Sequence, residues 1–129
     1  MNYYISKFVD LSYEEAIARV REELAKEGFG VLTEIDVQAT MKKKLGVDFR
    51  PYIILGACNP PFAHRALTAE DKIGVLLPCN VVVQQHDDGR VEVVAMDPKS
   101  IMQGSPFHDL AHIADEVQIK MRSVLSALP

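Results

Sequence analysis

The sequence predicts an α+β fold, a sandwich of one twisted, mainly antiparallel sheet with the long first and last helices on one face. Three observations carry this. Strand and helix periodicities alternate along the chain in the order β-α-β-α-β-α-β-β-α. The last two strands are joined by Asp87-Asp88-Gly89, a tight-turn signal that makes them an antiparallel hairpin and excludes a doubly wound sheet. The final stretch places Leu110, Ala114, Val117, Met121, Val124, Leu125 and Leu128 on one helix face.

The elements follow in order. Tyr3 to Val9 is rich in aromatic and β-branched residues and reads as a strand. Ser12-Tyr-Glu-Glu15 is a capping box, with Leu11 before it as a hydrophobic staple. The helix it opens runs to about Glu27, with Tyr13, Ile17, Val20 and Leu24 in one stripe and Gly28 as its stop. Phe29, Val31, Thr33 and Ile35 alternate with Gly30, Leu32 and Glu34, a half-buried strand. Asp36 caps a second helix in which Val37, Met41 and Leu45 recur. Lys42-Lys-Lys44 falls in its last turn, where cations favour the negative helix end, and Gly46 lies beyond.

Tyr52 to Cys58 is a continuous apolar strand, expected to be covered on both faces. Asn59-Pro60 is a helix start, with Asn at the cap and Pro at the first helical position. That helix runs to about Leu67, and Thr68-Ala-Glu-Asp71 reads as a capped turn. Ile73 to Leu77 resumes strand, Pro78 breaks its ladder, and Asn80 to His86 continues. Arg90 to Met96 is the return strand of the hairpin, and Asp97-Pro98 ends it. Lys99 to Pro106 is a polar loop, and the long helix spans about Phe107 to Leu128.

Composition bounds the function. At 129 residues the chain is read as a single domain, 1–129, large enough for a sizeable core. Net charge is −4, so there is no basic surplus to neutralise phosphates, and no nucleic-acid partner is expected. No apolar run approaches the roughly 20 residues that span a bilayer, so no membrane partner is expected either. Met1-Asn-Tyr-Tyr-Ile-Ser-Lys7 lacks a charged segment followed by an apolar one, so it is not a signal peptide, and the protein is expected to be cytoplasmic. In a reducing compartment its two cysteines are free thiols.

The candidate chemistry centres on a Cys-Asn pair that occurs twice. Cys58-Asn59 sits in Ile53-Ile-Leu-Gly-Ala-Cys-Asn-Pro-Pro61, and Cys79-Asn80 in Val75-Leu-Leu-Pro-Cys-Asn-Val-Val-Val83. A thiol beside a helix N-terminus can become reactive, whereas a buried thiol is a small hydrophobe. Asn59 and Asn80 are read structurally as a helix cap and a tie on a kinked backbone, and functionally as amides that fix a ligand's orientation. His108 and His112 have the i, i+4 spacing that suits a metal, and Asp115 is a candidate third ligand. Both histidines lie opposite the apolar stripe, and Ile119 shares their face, which suggests cover by another subunit. A Cys58–His64 nucleophile pair is conceivable, because an adjacent base activates a thiol.

The segments Gly56-Ala-Cys-Asn-Pro60 and Leu77-Pro-Cys-Asn-Val-Val-Val83, with Gly89 and the Met96-Asp-Pro98 turn, resemble a family catalogued as domain of unknown function 302. The resemblance covers nearly the whole chain, the Gly28-Phe29 step included. It implies a curved antiparallel sheet with helices on one side, similar to the TATA-binding-protein-like class, and a homodimer in bacteria or archaea. It implies no activity, cofactor or catalytic residue. The expectation is therefore a homodimeric binding module for a small molecule or metal, its pocket lined near Cys58, Asn59, Cys79 and Asn80. The alternatives are a thiol-dependent redox or nucleophilic enzyme using Cys58 or Cys79, and a purely structural dimer.

Overall fold

Alternation along each strand decides which side chains meet the core. In β3 (Tyr52–Cys58) Ile53, Leu55 and Ala57 are buried, and in β4 (Cys79–Gln85) Val81 and Val83 are. In β5 (Val91–Met96) Val91, Val93 and Ala95 complete the same surface. These strands pair antiparallel with one another, and β1 (Tyr4–Val9) and β2 (Gly30–Asp36) pair antiparallel at the edges, giving the order β1-β5-β4-β3-β2. The sheet is open and uncurled, where the resemblance implies a curved one. The computed structural model describes residues 2–102 and 108–129, the first two residues of the last helix by their backbone alone.

Among the described residues, five helices accompany the sheet: α1 (Tyr13–Lys26), α2 (Val37–Leu45), α3 (Pro60–Ala69), α4 (Pro98–Ile101) and α5 (His108–Ser126). The capping box at Ser12 and Glu15 forms as the sequence predicts. From α1, Ala16, Val20 and Leu24 enter the core, while Tyr13 and Ile17 sit half-buried at its margin. All seven residues of the predicted α5 stripe are buried. Each fully buried Leu, Val or Met contributes about 1.5–3 kcal/mol relative to exposure, so this single layer of contacts dominates stability. Lys7 donates to the Leu125 carbonyl (3.3 Å) and the Leu128 carbonyl, holding the end of α5 against β1.

Several elements differ from expectation. Ile73–Leu76 is a 3-10 helical turn rather than a strand, because its amides bond backwards to Glu70 and Lys72 and no strand lies beside it. β4 therefore begins after Pro78 instead of running through it. Thr68 to Asp71 is not a capped turn: α3 continues to Ala69, and the Thr68 hydroxyl donates to the His64 carbonyl. β3 is covered on one face only, with Tyr52 and Ile54 half-buried on the other. β2 is an edge strand whose register slips between Val31 and Thr33, so Thr33 and Ile35 do not share the core face with Phe29. The stripe of α2 finds no core: none of its residues is buried, and Leu45 is 69% exposed. The start of the expected polar loop is the short α4, capped by Asp97, and the rest of that loop lies outside the described residues.

Candidate functional site

Three irregularities meet at one end of the sheet. β3 ends at Cys58, β4 begins at Cys79, and the chain enters α3 through Asn59-Pro60-Pro61. Ala57 and Cys79 are register partners, and Cys58 follows Ala57 along β3. α3 presents Ala63 and Ala66 toward the sheet, and these short side chains leave a cavity of about 310 Å³. Its walls include Cys58, Asn59 and Cys79, with Phe62, Leu77 and Val117 among the apolar residues around them. Arg65 pairs with Glu116 at 3.0 Å and ties α3 to α5 on its outer side.

Both cysteines are free thiols. Burial pushes the Cys79 thiol up to about 11, and the charge of a Cys58 thiolate adds to the rise. Cys79 is thus a neutral thiol at neutral pH. The helix start beside Cys58 offers an anion few donors, because Pro60 and Pro61 carry no amide hydrogen. His64 is exposed and does not line the cavity, so no Cys58–His64 pair forms there.

Asn59 corrects its predicted role. It occupies the cap position, but its side chain makes no capping hydrogen bond. Its amide nitrogen donates instead to the Glu27 carbonyl at 3.2 Å, at the end of α1. Gly28, at φ +86°, brings that carbonyl within reach, and a Cβ there would sit 3.1 Å from the Asn59 amide nitrogen. The buried asparagine thus joins the ends of two helices and is spent on the scaffold.

Asn80 parts company with the other three. It pairs with Gly56 and lies on the outer face of the sheet, exposed, with Tyr52, Val82 and Gln84. There Arg50 donates to Gln84 at 2.8 Å, Gln84 donates to Glu92 at 3.0 Å, and His86 meets the same Glu92 oxygen at 3.0 Å. The four residues predicted to line one pocket therefore divide between two faces.

His112 is exposed on α5, and the side chain of His108 lies outside the described residues. Asp115, the candidate third ligand, pairs with Lys99 at 3.5 Å. Among the described residues, no cluster of three or more His, Cys, Asp or Glu side chains is placed to hold a metal. Ile119 is 63% exposed on the face these histidines share.

The match to known proteins covers this architecture from end to end. The family model described as "Domain of unknown function DUF302" matches residues 5–128. The chain belongs to the DUF302 family. The DUF302 chain is also similar to a solved structure described as an uncharacterized conserved DUF302 protein from Bacillus stearothermophilus. The two share 30% identity and a TM-score of 0.92, over 100% of each chain. No curated protein matches the DUF302 chain. No described helix is long and apolar enough to cross a membrane.

Sequence reasoning missed the far walls of the cavity, namely Phe62, Leu76, Met96, Met102 and Ile113. The signal that points to the space is the Ala63, Ala66 spacing on α3, where small residues three apart share a face.

Proposed function

We propose that the protein is a homodimeric binding module that holds a small molecule in the cavity between β3, β4, α3 and α5. The observation that supports this reading most is the cavity itself: about 310 Å³, walled mainly by apolar side chains, with two thiols at its sheet end. Ligand sites span about 300–1,000 Å³ and combine apolar walls with a few polar groups, so this one suits a small, largely apolar ligand. Free thiols fit a reducing, cytoplasmic setting. A nucleophilic role for Cys79 is opposed by the burial that keeps it protonated. The outer sheet face supports the dimer, because Ile54, Val82 and Val94 stay only half-buried there.

The test uses a neutral apolar fluorophore, phenylnaphthylamine, with the wild type and with Ala63→Phe, which fills the cavity from its α3 wall. Saturable binding is expected for the wild type and its loss for the variant, with thermal unfolding confirming that the variant is folded. Equal binding by a folded variant would place the probe elsewhere and overturn the reading.

A further inference from the structure

The cavity between β3, β4, α3 and α5 is graded from floor to mouth. Ala57, Ala66 and Ala114 line it and are at most 3% exposed. Leu32, Leu67 and Leu76 also line it, and they are 69%, 43% and 40% exposed. The floor is therefore built of small buried side chains, and the mouth of large apolar ones that water reaches. The described walls hold no carboxylate, imidazole, amine or guanidinium.

Asn59 belongs to the buried part, at 8% exposed. Its bond to the Glu27 carbonyl fixes which way the amide points, because a carbonyl only accepts and must face the nitrogen. That bond ties the nitrogen to the scaffold. The amide oxygen, Oδ1, receives no hydrogen bond among the described residues, since the side chain makes no cap bond and its nitrogen is a donor. Nor is Oδ1 sealed in protein: among the described residues, no fully enclosed side-chain oxygen or nitrogen lacks a partner. A buried wall residue thus keeps one open acceptor.

A ligand that fills the cavity takes this oxygen out of water. It either supplies a donor or leaves the acceptor unpaired, at a cost in affinity. The donor must also be neutral. A carboxylate only accepts, and no cation in the described walls offsets its charge. An ammonium group would be buried with no carboxylate beside it. A hydroxyl donates without carrying charge.

We infer that the ligand is a neutral alcohol with an apolar tail, its hydroxyl donating to Asn59 Oδ1 and its tail running out along Leu32, Leu67 and Leu76. This rests on the binding-module reading and names the ligand class for the same site. The single hydrogen bond sets the orientation, and the leucines at the mouth shield the tail from water.

The experiment titrates the wild type by calorimetry with octanol, octyl methyl ether and octanoate at neutral pH, with phenylnaphthylamine binding measured alongside. The ether has the same tail and an oxygen but no donor. Octanol is expected to bind about tenfold more tightly than the ether, and octanoate is expected not to bind. Asn59→Leu, which removes the acceptor, is expected to bind alcohol and ether alike. That variant also loses the bond to Glu27, so the Asn59 side-chain amide signals of the wild type are followed by NMR as a second measure. They are expected to move on saturation with octanol. The inference is overturned if octanol does not bind, if ether or octanoate binds as tightly, if a folded Asn59→Leu keeps the preference, or if the Asn59 signals stay put. In each of those cases a wild type that still binds the fluorophore leaves the binding module standing. A wild type that binds neither the fluorophore nor any of the three chains brings down both.

Discussion

Cys79 carries a consequence for stability against pH. Its thiol is pushed up to about 11 from an ordinary value of 9.0, because burial disfavours the charged form. The unfolded chain loses this proton near pH 9 and the folded chain near 11, so the folded state binds more protons between those values. Stability from this group is complete below about pH 9 and falls by on the order of 2–3 kcal/mol as pH rises to 11. Denaturant titrations at pH 8 to 11 are expected to show a steeper decline for the wild type than for Cys79→Ala; parallel declines would contradict the burial argument. The thiols' nearness was not legible in the sequence, which shows each beside a proline in or at the end of an apolar run but not that β3 and β4 pair. Nor was the placing of Asn80, since consecutive strand residues face opposite ways and only the register says which way Cys79 points. Asn59 was legible as a helix-start residue, but its partner, the Glu27 carbonyl, lies 32 residues away and no local pattern encodes that bond.

At the scale of elements, α2 is the weak unit. It has an Asp36 cap and a Gly46 stop, so local signals alone define it, yet none of its residues is buried. Helices this short draw their stability from packing, and here that contribution is small. Amides of Val37–Leu45 are expected to exchange with solvent through local opening at a cost of a few kcal/mol, well below a global stability of roughly 5–15 kcal/mol. Amides at the centre of α1 are expected to exchange only near the global limit. Hydrogen exchange followed by mass spectrometry separates the two, and equal protection in both helices would contradict the prediction. The elements with strong patterning, α1 and α5, were legible in sequence because amphipathic spacing over many residues has one reading. Ile73–Leu76 was not, since four apolar residues fit a strand or a helical turn equally well.

The whole molecule is two-layered, with α1 and α5 packed on one face of the sheet, while on the other Arg50 reaches Gln84 and Phe49 meets Tyr52. On that outer face Val94, Val82, Ile54 and Ile35 form one row across β5, β4, β3 and β2. Ile35 is 48% exposed, and the other three are half-buried. Facing rows from two copies would bury this band, which is the proposed basis of the dimer. Sedimentation at micromolar concentration is expected to give a dimer for the wild type and a monomer for Val82→Lys with its fold intact. A wild-type monomer would contradict the proposal, and a dimeric Val82→Lys would move the interface to another surface. The layer order was legible because alternation and the Asp87-Asp88-Gly89 hairpin dictate it. The open face was hidden because the unbroken apolar run of β3 reads as buried on both sides.

Gly56 sits where three strands press together. A Cβ there would lie 2.1 Å from the Thr33 hydroxyl oxygen and 2.8 Å from the Pro78 ring. Neither neighbour is the free end of a long side chain, so no other amino acid fits without moving β2 or the start of β4. In evolutionary terms this locks three positions into one unit. A descendant can replace Gly56 only after positions 33 and 78 have changed. This glycine, more than the cysteines that draw the eye, is the residue by which lineages that keep this corner of the sheet will be recognised.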